Sequence, residues 1–127
     1  MSVVVLDYGL GNLRSLSWAL ERIGCVHSIS SDKKVIESSQ KLIIPGVGSF
    51  GEARKNLDSL DLTDFIRFYA KKTSNKIFGI CLGMQLLFEG SEESPGVLGL
   101  SVLKGFYKKL DAKTSHVPHM GWNNLEP

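Results

Sequence analysis

Short apolar runs alternate with amphipathic stretches along the chain, and this alternation limits the folds open to it. The first run, Val3–Leu6, is nearly continuous and mostly β-branched, which is typical of a strand buried on both faces of a parallel sheet. Further strands are predicted at 26–29, 41–44 and 76–78, and helices at 13–23, 32–38, 53–60 and 62–69. Strands that alternate with helices predict a doubly wound α/β sheet. We expect the fourth strand to lie centrally in it.

The composition is that of an ordinary globular domain. The 127 residues suffice for one domain with its own core, and no second domain is expected. The net charge is +2, from 15 basic and 13 acidic residues, which argues against a nucleic-acid or anionic-membrane partner. The chain starts without the charged segment of a secretory leader, and no apolar run approaches membrane-spanning length. We therefore expect a cytoplasmic protein.

Cys81 lies in the sequence Gly79-Ile80-Cys81-Leu82-Gly83, where a predicted strand turns sharply into a predicted helix. This is the pattern of a nucleophile elbow with sulfur in place of oxygen. A cysteine there indicates covalent catalysis, with acyl transfer from an ester or amide as the natural class. The N–H of Leu82 is disposed to hold a developing oxyanion, and Gln85 lies one helical turn further on. The alternative is an inert buried thiol at Cys81 with Gln85 as a surface residue.

A glycine-rich turn at 45–51 follows the third predicted strand. Three glycines in six residues leave its backbone N–H groups unshielded, so the turn can approach an anion. It lacks the Gly-Lys-Ser/Thr ending of a phosphate-binding loop, which favours an oxyanion over a nucleotide. Residues 46–48 could thus supply a second oxyanion donor beside the elbow. A plain strand-to-helix turn is the alternative.

Three other patterns each lack a required partner. Gly9 and Gly11 resemble the start of a dinucleotide-binding loop, but Arg14 stands where the third glycine should be. His116 and His119 have the spacing of a metal pair without a nearby acidic or cysteine ligand. The chain has only one other cysteine, Cys25, too few for a disulfide framework. We expect no cofactor and no metal.

Four segments together resemble, in order and spacing, the class I (triad-type) glutamine amidotransferases. They are Pro45–Phe50, Gly79–Leu87, Ser91–Glu93 and Pro118–Asn123. The first residues, Asp7–Ser15, resemble one branch of that family, the glutaminase subunits of imidazole glycerol phosphate synthase, which serve histidine biosynthesis. The resemblance implies a three-layer, flavodoxin-like α/β fold with a mostly parallel sheet and helices on both faces. It also implies that residues 1–127 form a single glutamine amidotransferase domain, C-terminally incomplete because it lacks the family's last segment.

The resemblance implies a reaction and a set of site residues. Cys81 would attack the side-chain amide of glutamine, release ammonia and leave a glutamyl thioester that water hydrolyses. The implied oxyanion hole consists of Val47, Gly48 and Leu82, and the implied glutamine-binding residues are Gln85 and Glu93, with Glu93 suited to the α-ammonium group.

The resemblance also implies a partner. In that family the ammonia passes to a cyclase subunit of barrel fold, which forms imidazole glycerol phosphate. The positions that match its partner face are Asn12, Arg14, His119, Met120, Trp122 and Asn123. For Trp122 an ordinary core aromatic is the alternative.

One departure from the family pattern bears on activity. The catalytic histidine and glutamate of the family lie in a His-Pro-Glu motif beyond Pro118–Asn123, and this chain contains no such motif. His27, His116 and His119 do not replace it convincingly. General acid–base assistance contributes on the order of a hundredfold or more, so the 127-residue chain alone is expected to be inactive or very weak.

Two further functions stay open on sequence grounds. One is an amidotransferase that feeds ammonia to a synthetase of surface-sugar assembly, because such paralogues share these motifs. The other is a catalytically dead, truncated docking subunit that has kept only partner binding. We favour a glutaminase subunit that is a fragment of a longer protein.

Overall fold

The computed structural model of the protein describes residues 2–127, which contain a four-stranded parallel sheet. Its strands are β1 (Val3–Leu6), β2 (His27–Ser30), β3 (Lys41–Ile44) and β4 (Lys76–Gly79). They lie side by side in the order β2-β1-β3-β4, and every pair is parallel. This is the strand order with which flavodoxin-like, doubly wound sheets begin, so the predicted fold class is confirmed.

Five helices connect and follow the strands. They are α1 (Leu13–Arg22), α2 (Lys33–Ser38), α3 (Phe50–Ser59), α4 (Thr63–Lys71) and α5 (Leu82–Leu86). The Asn12 side chain caps α1 by accepting from Ser15 N–H at 3.1 Å, and Gly24, with φ +70°, follows its end. Helix α3 begins three residues before the predicted start at Ala53, because the Ser49 hydroxyl caps its first turn at Glu52 N–H.

The sheet has an apolar core on each face. The larger core packs α2, α3, α4 and α5 against Val4, Leu6, Leu42 and Ile44. The smaller core packs Leu20 of α1, with Leu13 and Leu16, against Val3, Val5 and Ile43 on the opposite face. Alternate residues of β1 and β3 thus enter different layers, as they must in a sheet covered on both sides. The helices meet the sheet on both faces, and the structure has three layers.

One sequence expectation about the sheet is wrong. Strand β4 is not central: within residues 2–127 it lies at the edge of the sheet, and Phe78 on it is 63% exposed. The reason is that the chain after α5 does not return to β4 but forms a separate pair of strands, β5 (Gly90–Ser91) and β6 (Phe106–Tyr107).

Residues 97–106, in which apolar residues alternate along the sequence, form one isolated bridge at Leu98 and β6 at their end. The carbonyls of residues 98–100 accept from the Arg54 and Arg67 side chains instead of a neighbouring strand. Ser101 and Gly105, with φ of +53° and +125°, then turn the chain out of an extended path.

In the part of the chain that the structure describes, no helix combines the length and the apolar character needed to cross a membrane.

Candidate active site

Cys81 occupies a strained turn between β4 and α5. Its φ of +53° and ψ of −115° are rare for a residue with a side chain, and such a conformation costs on the order of 1–3 kcal/mol. The residue is exposed, and within residues 2–127 its sulfur makes no hydrogen bond. Strain of this kind persists where the surrounding structure imposes it, and here it presents a free thiol at the carboxyl edge of the sheet.

The two glycines of the elbow let α5 lie directly against the strands. A Cβ on Gly83 would stand 1.9 Å from the Ile44 carbonyl oxygen, and a Cβ on Gly79 would stand 2.5 Å from Met84 Cα. Both neighbours are backbone atoms that cannot rotate away. Glycine is therefore required at both positions by close backbone approach, as the sequence pattern indicated.

The turn at 45–48, which follows β3, lies beside the elbow because β3 and β4 are hydrogen-bonded neighbours. Gly46 is buried against the start of α5: a Cβ on it would stand 2.9 Å from Gly83 N. Val47 and Gly48 are exposed. Among the described residues, the N–H groups of 46–48 and of Leu82 donate to no other protein group. Unpaired N–H groups from two adjacent segments thus meet at one edge of the sheet.

Gln85 and Glu93 line one open cavity of about 900 Å³. Charges of both signs surround it, since Glu92, Lys108 and Lys109 also line it. A free amino acid carries one positive and one negative group, so a cavity with both kinds of charge suits such a ligand. Cys81 itself is not in the wall, but its carbonyl accepts from Gln85 N–H one turn along α5, at 3.2 Å.

The segment that carries Glu93 is tied to the first turn of α3. A Glu93 carboxylate oxygen accepts from Phe50 N–H at 3.3 Å, and the Ser94 hydroxyl accepts from Gly51 N–H at 2.9 Å. These bonds join the cavity wall to the helix that follows the 45–48 turn. Sequence reasoning assigned no role to Ser94, because a bond that spans 43 residues leaves no local signal.

Sequence reasoning also missed Tyr8. It lies just beyond β1, is 1% exposed, and donates a 2.6 Å hydrogen bond to the carbonyl of Pro45. The main cause of its raised pKa is burial, to which the nearby charge of Cys81 adds. The only available sequence signal was an aromatic residue at the carboxyl end of a buried strand, which core packing explains equally well.

The histidines are not joined to the thiol. His27 lies at the start of β2, the edge of the sheet opposite to Cys81, where its ring is bonded to Ser17 at 2.7 Å and to the Cys25 carbonyl at 3.1 Å. The His119 ring is 3.3 Å from the side-chain nitrogen of Asn123, and His116 is exposed. Within residues 2–127 no histidine forms a hydrogen bond with Cys81.

The six positions matched to a partner face lie in two segments. Asn12 caps α1, and the Arg14 guanidinium lies 4.6 Å from the centre of the Trp18 ring on the exposed side of that helix. In the second segment Met120 is 85% exposed and Trp122 fully exposed, so Trp122 is not packed in a core within residues 2–127. Among the described residues, no hydrogen bond or cation–π contact joins the two segments.

Known proteins resemble the chain in sequence and in fold. Residues 4–125 match the family described as glutamine amidotransferase class-I. An imidazole glycerol phosphate synthase subunit HisH of Geobacillus kaustophilus is 47% identical over 126 residues, or 95% of this chain and 59% of that protein. A protein of the same name from Aquifex aeolicus is 47% identical over 98% of this chain and 60% of its own length.

A solved structure described as a glutamine amidotransferase superimposes with a TM-score of 0.72 at 26% identity, covering 84% of this chain and 56% of that one. The chain spans about three fifths of the length of the curated relatives it matches. The family match, which covers nearly all of this chain, fits the strained cysteine elbow and the glycine-rich turn beside it. The chain belongs to the class I glutamine amidotransferase family.

Proposed function

We propose that this chain is part of a glutaminase subunit that hydrolyses glutamine to glutamate and ammonia. The observation that carries the proposal is the exposed thiol of Cys81, held at a positive φ between a strand and a helix beside unpaired N–H groups. The names of the relatives at 47% identity support imidazole glycerol phosphate synthase as the enzyme it serves, and hence a role in histidine biosynthesis.

In the proposed reaction the Cys81 thiolate attacks the amide carbon of the glutamine side chain. A carbon–sulfur bond forms, and the π electrons of the carbonyl move to its oxygen. The unpaired N–H groups of Leu82, Val47 and Gly48 would hold that oxyanion, because donors already free and fixed need no rearrangement as the charge develops. The intermediate then expels ammonia, after its nitrogen has gained a proton, and leaves a thioester that water hydrolyses.

Gln85 and Glu93 would bind the substrate from the wall of the cavity. The Glu93 carboxylate shares only one oxygen with Phe50 N–H, so acceptor sites stay available for the α-ammonium group of glutamine. The Gln85 amide can both donate and accept, which suits a polar substrate. The two residues come from α5 and from the segment after β5, so they approach the substrate from separate elements.

The proposal also covers the missing proton acceptor. No histidine bonds Cys81 within residues 2–127, and the chain matches about 59% of the length of one relative. We therefore propose that residues 1–127 belong to a single glutamine amidotransferase domain whose base and orienting carboxylate lie in a further segment. Tested alone, this chain is expected to release ammonia slowly or not at all.

A cyclase subunit of barrel fold is the proposed recipient of the ammonia. Asn12, Arg14, His119, Met120, Trp122 and Asn123 are the residues proposed to face it. The exposed apolar surface of Met120 and Trp122 supports this part of the proposal, since aromatic residues and methionine are enriched at protein interfaces. The expected cytoplasmic location belongs to the same proposal, and fractionation of the source cells tests it.

Labelling of the two cysteines tests the nucleophile. The probe is a chloromethyl ketone built on the glutamine side chain, applied to the full-length protein with its cyclase, and the labelled residue is read by peptide mass analysis. Cys81→Ala should abolish labelling, whereas Cys25→Ala, which removes the other free thiol of the chain, should leave it unchanged. Labelling that persists in Cys81→Ala would contradict the assignment.

Ammonia release tests the partner. Hydrolysis of glutamine by the full-length protein should rise when the cyclase is added. A rise with a surface-sugar synthetase but not with the cyclase would contradict the proposed pathway while leaving the glutaminase reaction intact.

A further inference from the structure

Tyr8 is held at both ends by contacts that cross the fold. Its side chain is 1% exposed within the larger core, and its hydroxyl donates to the Pro45 carbonyl, 37 residues away in sequence, at 2.6 Å. Its own backbone carbonyl accepts from the Asn56 side chain of α3 at 3.0 Å. The residue therefore fixes the start of the 45–48 turn relative to β1 and α3.

The hydrogen bond to Pro45 sets the direction of the next N–H group. A trans peptide unit is planar, and its C=O and N–H bonds point to opposite sides. The buried Tyr8 hydroxyl holds the Pro45 carbonyl toward the core, so the N–H of Gly46 in the same peptide unit must point away from it. That N–H donates to no other protein group within residues 2–127, as is also true of the N–H groups of Val47 and Gly48.

The same hydroxyl lies against the first residues of α5. A Cβ on Gly46 would stand 2.6 Å from the Tyr8 hydroxyl oxygen and 2.9 Å from Leu82 Cβ. Gly46 is thus enclosed between Tyr8 on one side and the elbow helix on the other. The contact brings the hydroxyl of Tyr8 next to both backbone segments that carry unpaired donors.

We propose that Tyr8 is a positioning residue for the oxyanion hole. Its hydroxyl fixes the peptide unit between Pro45 and Gly46, and thereby the direction in which the following N–H groups of Val47 and Gly48 are presented at the exposed edge that carries Cys81. This inference rests on the proposed glutaminase reaction and adds to it a residue that does not touch the substrate.

The hydroxyl is suited to this task because it remains a donor. Burial, and secondarily the charge of Cys81, raise the pKa of Tyr8 above that of an exposed tyrosine, so the proton stays in place through the physiological range. A second buried tyrosine offers a matched comparison. Tyr69 is also 1% exposed and donates to a backbone carbonyl, that of Ser39, at 2.9 Å. Ser39 lies just before β3, at the end of the strand remote from the 45–48 turn.

Two reactions of Cys81 distinguish an effect on the oxyanion donors from a general loss of structure. Attack on glutamine places negative charge on the substrate oxygen and needs the oxyanion donors. Alkylation by iodoacetamide displaces iodide at a saturated carbon, so no oxyanion forms and the donors are not required. A change in the 45–48 turn should therefore slow the first reaction and leave the second unchanged.

The experiment compares Tyr8→Phe with Tyr69→Phe in the full-length protein bound to its cyclase. Tyr8→Phe should lower kcat for glutamine hydrolysis about tenfold, less than the hundredfold or more that follows loss of a direct oxyanion donor. KM and the rate of iodoacetamide alkylation should each stay within about twofold of wild type, because neither depends on the developing oxyanion. Tyr69→Phe should leave all three unchanged, and both variants should show similar small losses in thermal stability. Replacement of Tyr8 by 3-fluorotyrosine, which keeps the hydroxyl, should preserve kcat.

Each of the following results would overturn the inference. An undiminished kcat in Tyr8→Phe removes the positioning role and leaves the glutaminase assignment standing. Equal falls in kcat and alkylation rate, or an equal fall in kcat for Tyr69→Phe, would mean general loss of structure instead. If 3-fluorotyrosine at position 8 keeps kcat while Tyr8→Phe unfolds the protein, thermal unfolding of the phenylalanine variant identifies Tyr8 as a stability residue and the inference fails. Absence of hydrolysis by the wild-type complex overturns the proposed function and this inference together.

Discussion

At the scale of one residue, the elbow requires that Gly83 has no side chain. In an ordinary helix, Gly→Ala is stabilising by about 0.5–1 kcal/mol. Here the added methyl group would lie 1.9 Å from the Ile44 carbonyl oxygen, so α5 would have to move away from β3. We expect Gly83→Ala to lower the free energy of unfolding by about 1–3 kcal/mol, as overpacking of a tight contact does, and to reduce glutaminase activity. Urea unfolding of the full-length variant measures the first effect.

Gly51→Ala is the matched control for this prediction. Gly51 also lies in the first turn of a helix, but its added methyl group would meet the Ser94 hydroxyl at 3.1 Å, a side-chain atom that can shift. Its effect on stability should stay below about 1 kcal/mol in either direction. If the two variants unfold at the same urea concentration, close packing at the elbow does not explain the glycine at 83.

At this scale, the sequence predicts a residue's role when the residues it acts with are close to it along the chain. Cys81, Gly79 and Gly83 act within five residues, so a local pattern predicts them. Tyr8 and Ser94 act through hydrogen bonds that span 37 and 43 residues, and no local pattern records such bonds. The placement of Gln85 and Glu93 on one cavity was available only through the family resemblance, because they come from separate elements.

At the scale of elements, one side-chain network joins α3 to α4. The Thr63 hydroxyl, at the start of α4, donates to Asp58 at 2.6 Å, and Arg54 donates to the same carboxylate at 3.1 Å. The hydrogen bond from Thr63, aided by Arg54, holds the pKa of Asp58 below its ordinary value of 3.8. The folded state therefore binds this proton less tightly than the unfolded state does. The resulting stability is present above pH 3.8 and is lost as the pH falls through the lower, folded-state value.

Thr63→Val should remove most of the stability that comes from the lowered pKa of Asp58. Because Asp58 is largely exposed, solvent screening limits the loss at neutral pH to about 0.5–1 kcal/mol. The difference in free energy of unfolding between Thr63→Val and wild type should become smaller near pH 3, where the Asp58 carboxylate is increasingly protonated. Urea unfolding measures this difference. Thr73→Val, in an exposed turn, should have no such pH dependence. A deficit of the same size at both pH values would assign the role of Thr63 to packing and not to the charge of Asp58.

The elements themselves differ in how far the sequence predicts them. Strands β1 and β3 match their predicted bounds, since both are buried apolar runs ended by polar or glycine-rich turns. The edge position of β4 escaped prediction because an apolar strand has the same composition whether or not a neighbour pairs with its second side. The path of residues 98–100 could not be predicted in detail, because two arginines from α3 and α4 bind their carbonyls, a contact between distant parts of the chain.

At the scale of the whole molecule, the two buried tyrosines make the free energy of unfolding depend on pH in the alkaline range. Tyr8 and Tyr69 pack in the same core at opposite ends of β3, and the hydroxyl of each donates a hydrogen bond to a backbone carbonyl. Burial is the first cause of the raised pKa of both, against an ordinary value of 10.0. A raised pKa in the folded state means that the folded protein binds the proton more tightly than the unfolded protein does. The stability this contributes is complete below pH 10 and is lost as the pH rises above it.

The free energy of unfolding should therefore fall above about pH 10, with a slope of up to about 1.4 kcal/mol per pH unit for each tyrosine. Urea unfolding of the full-length protein between about pH 8 and about pH 11 measures this slope. The double variant Tyr8→Phe with Tyr69→Phe keeps every lysine of the chain, so lysine titration contributes equally to both proteins. Its slope should be smaller by the two tyrosine contributions. Equal slopes in the two proteins would mean that neither hydroxyl is held protonated by the core, and would also remove the electrostatic support for Tyr8 as a constant donor to Pro45.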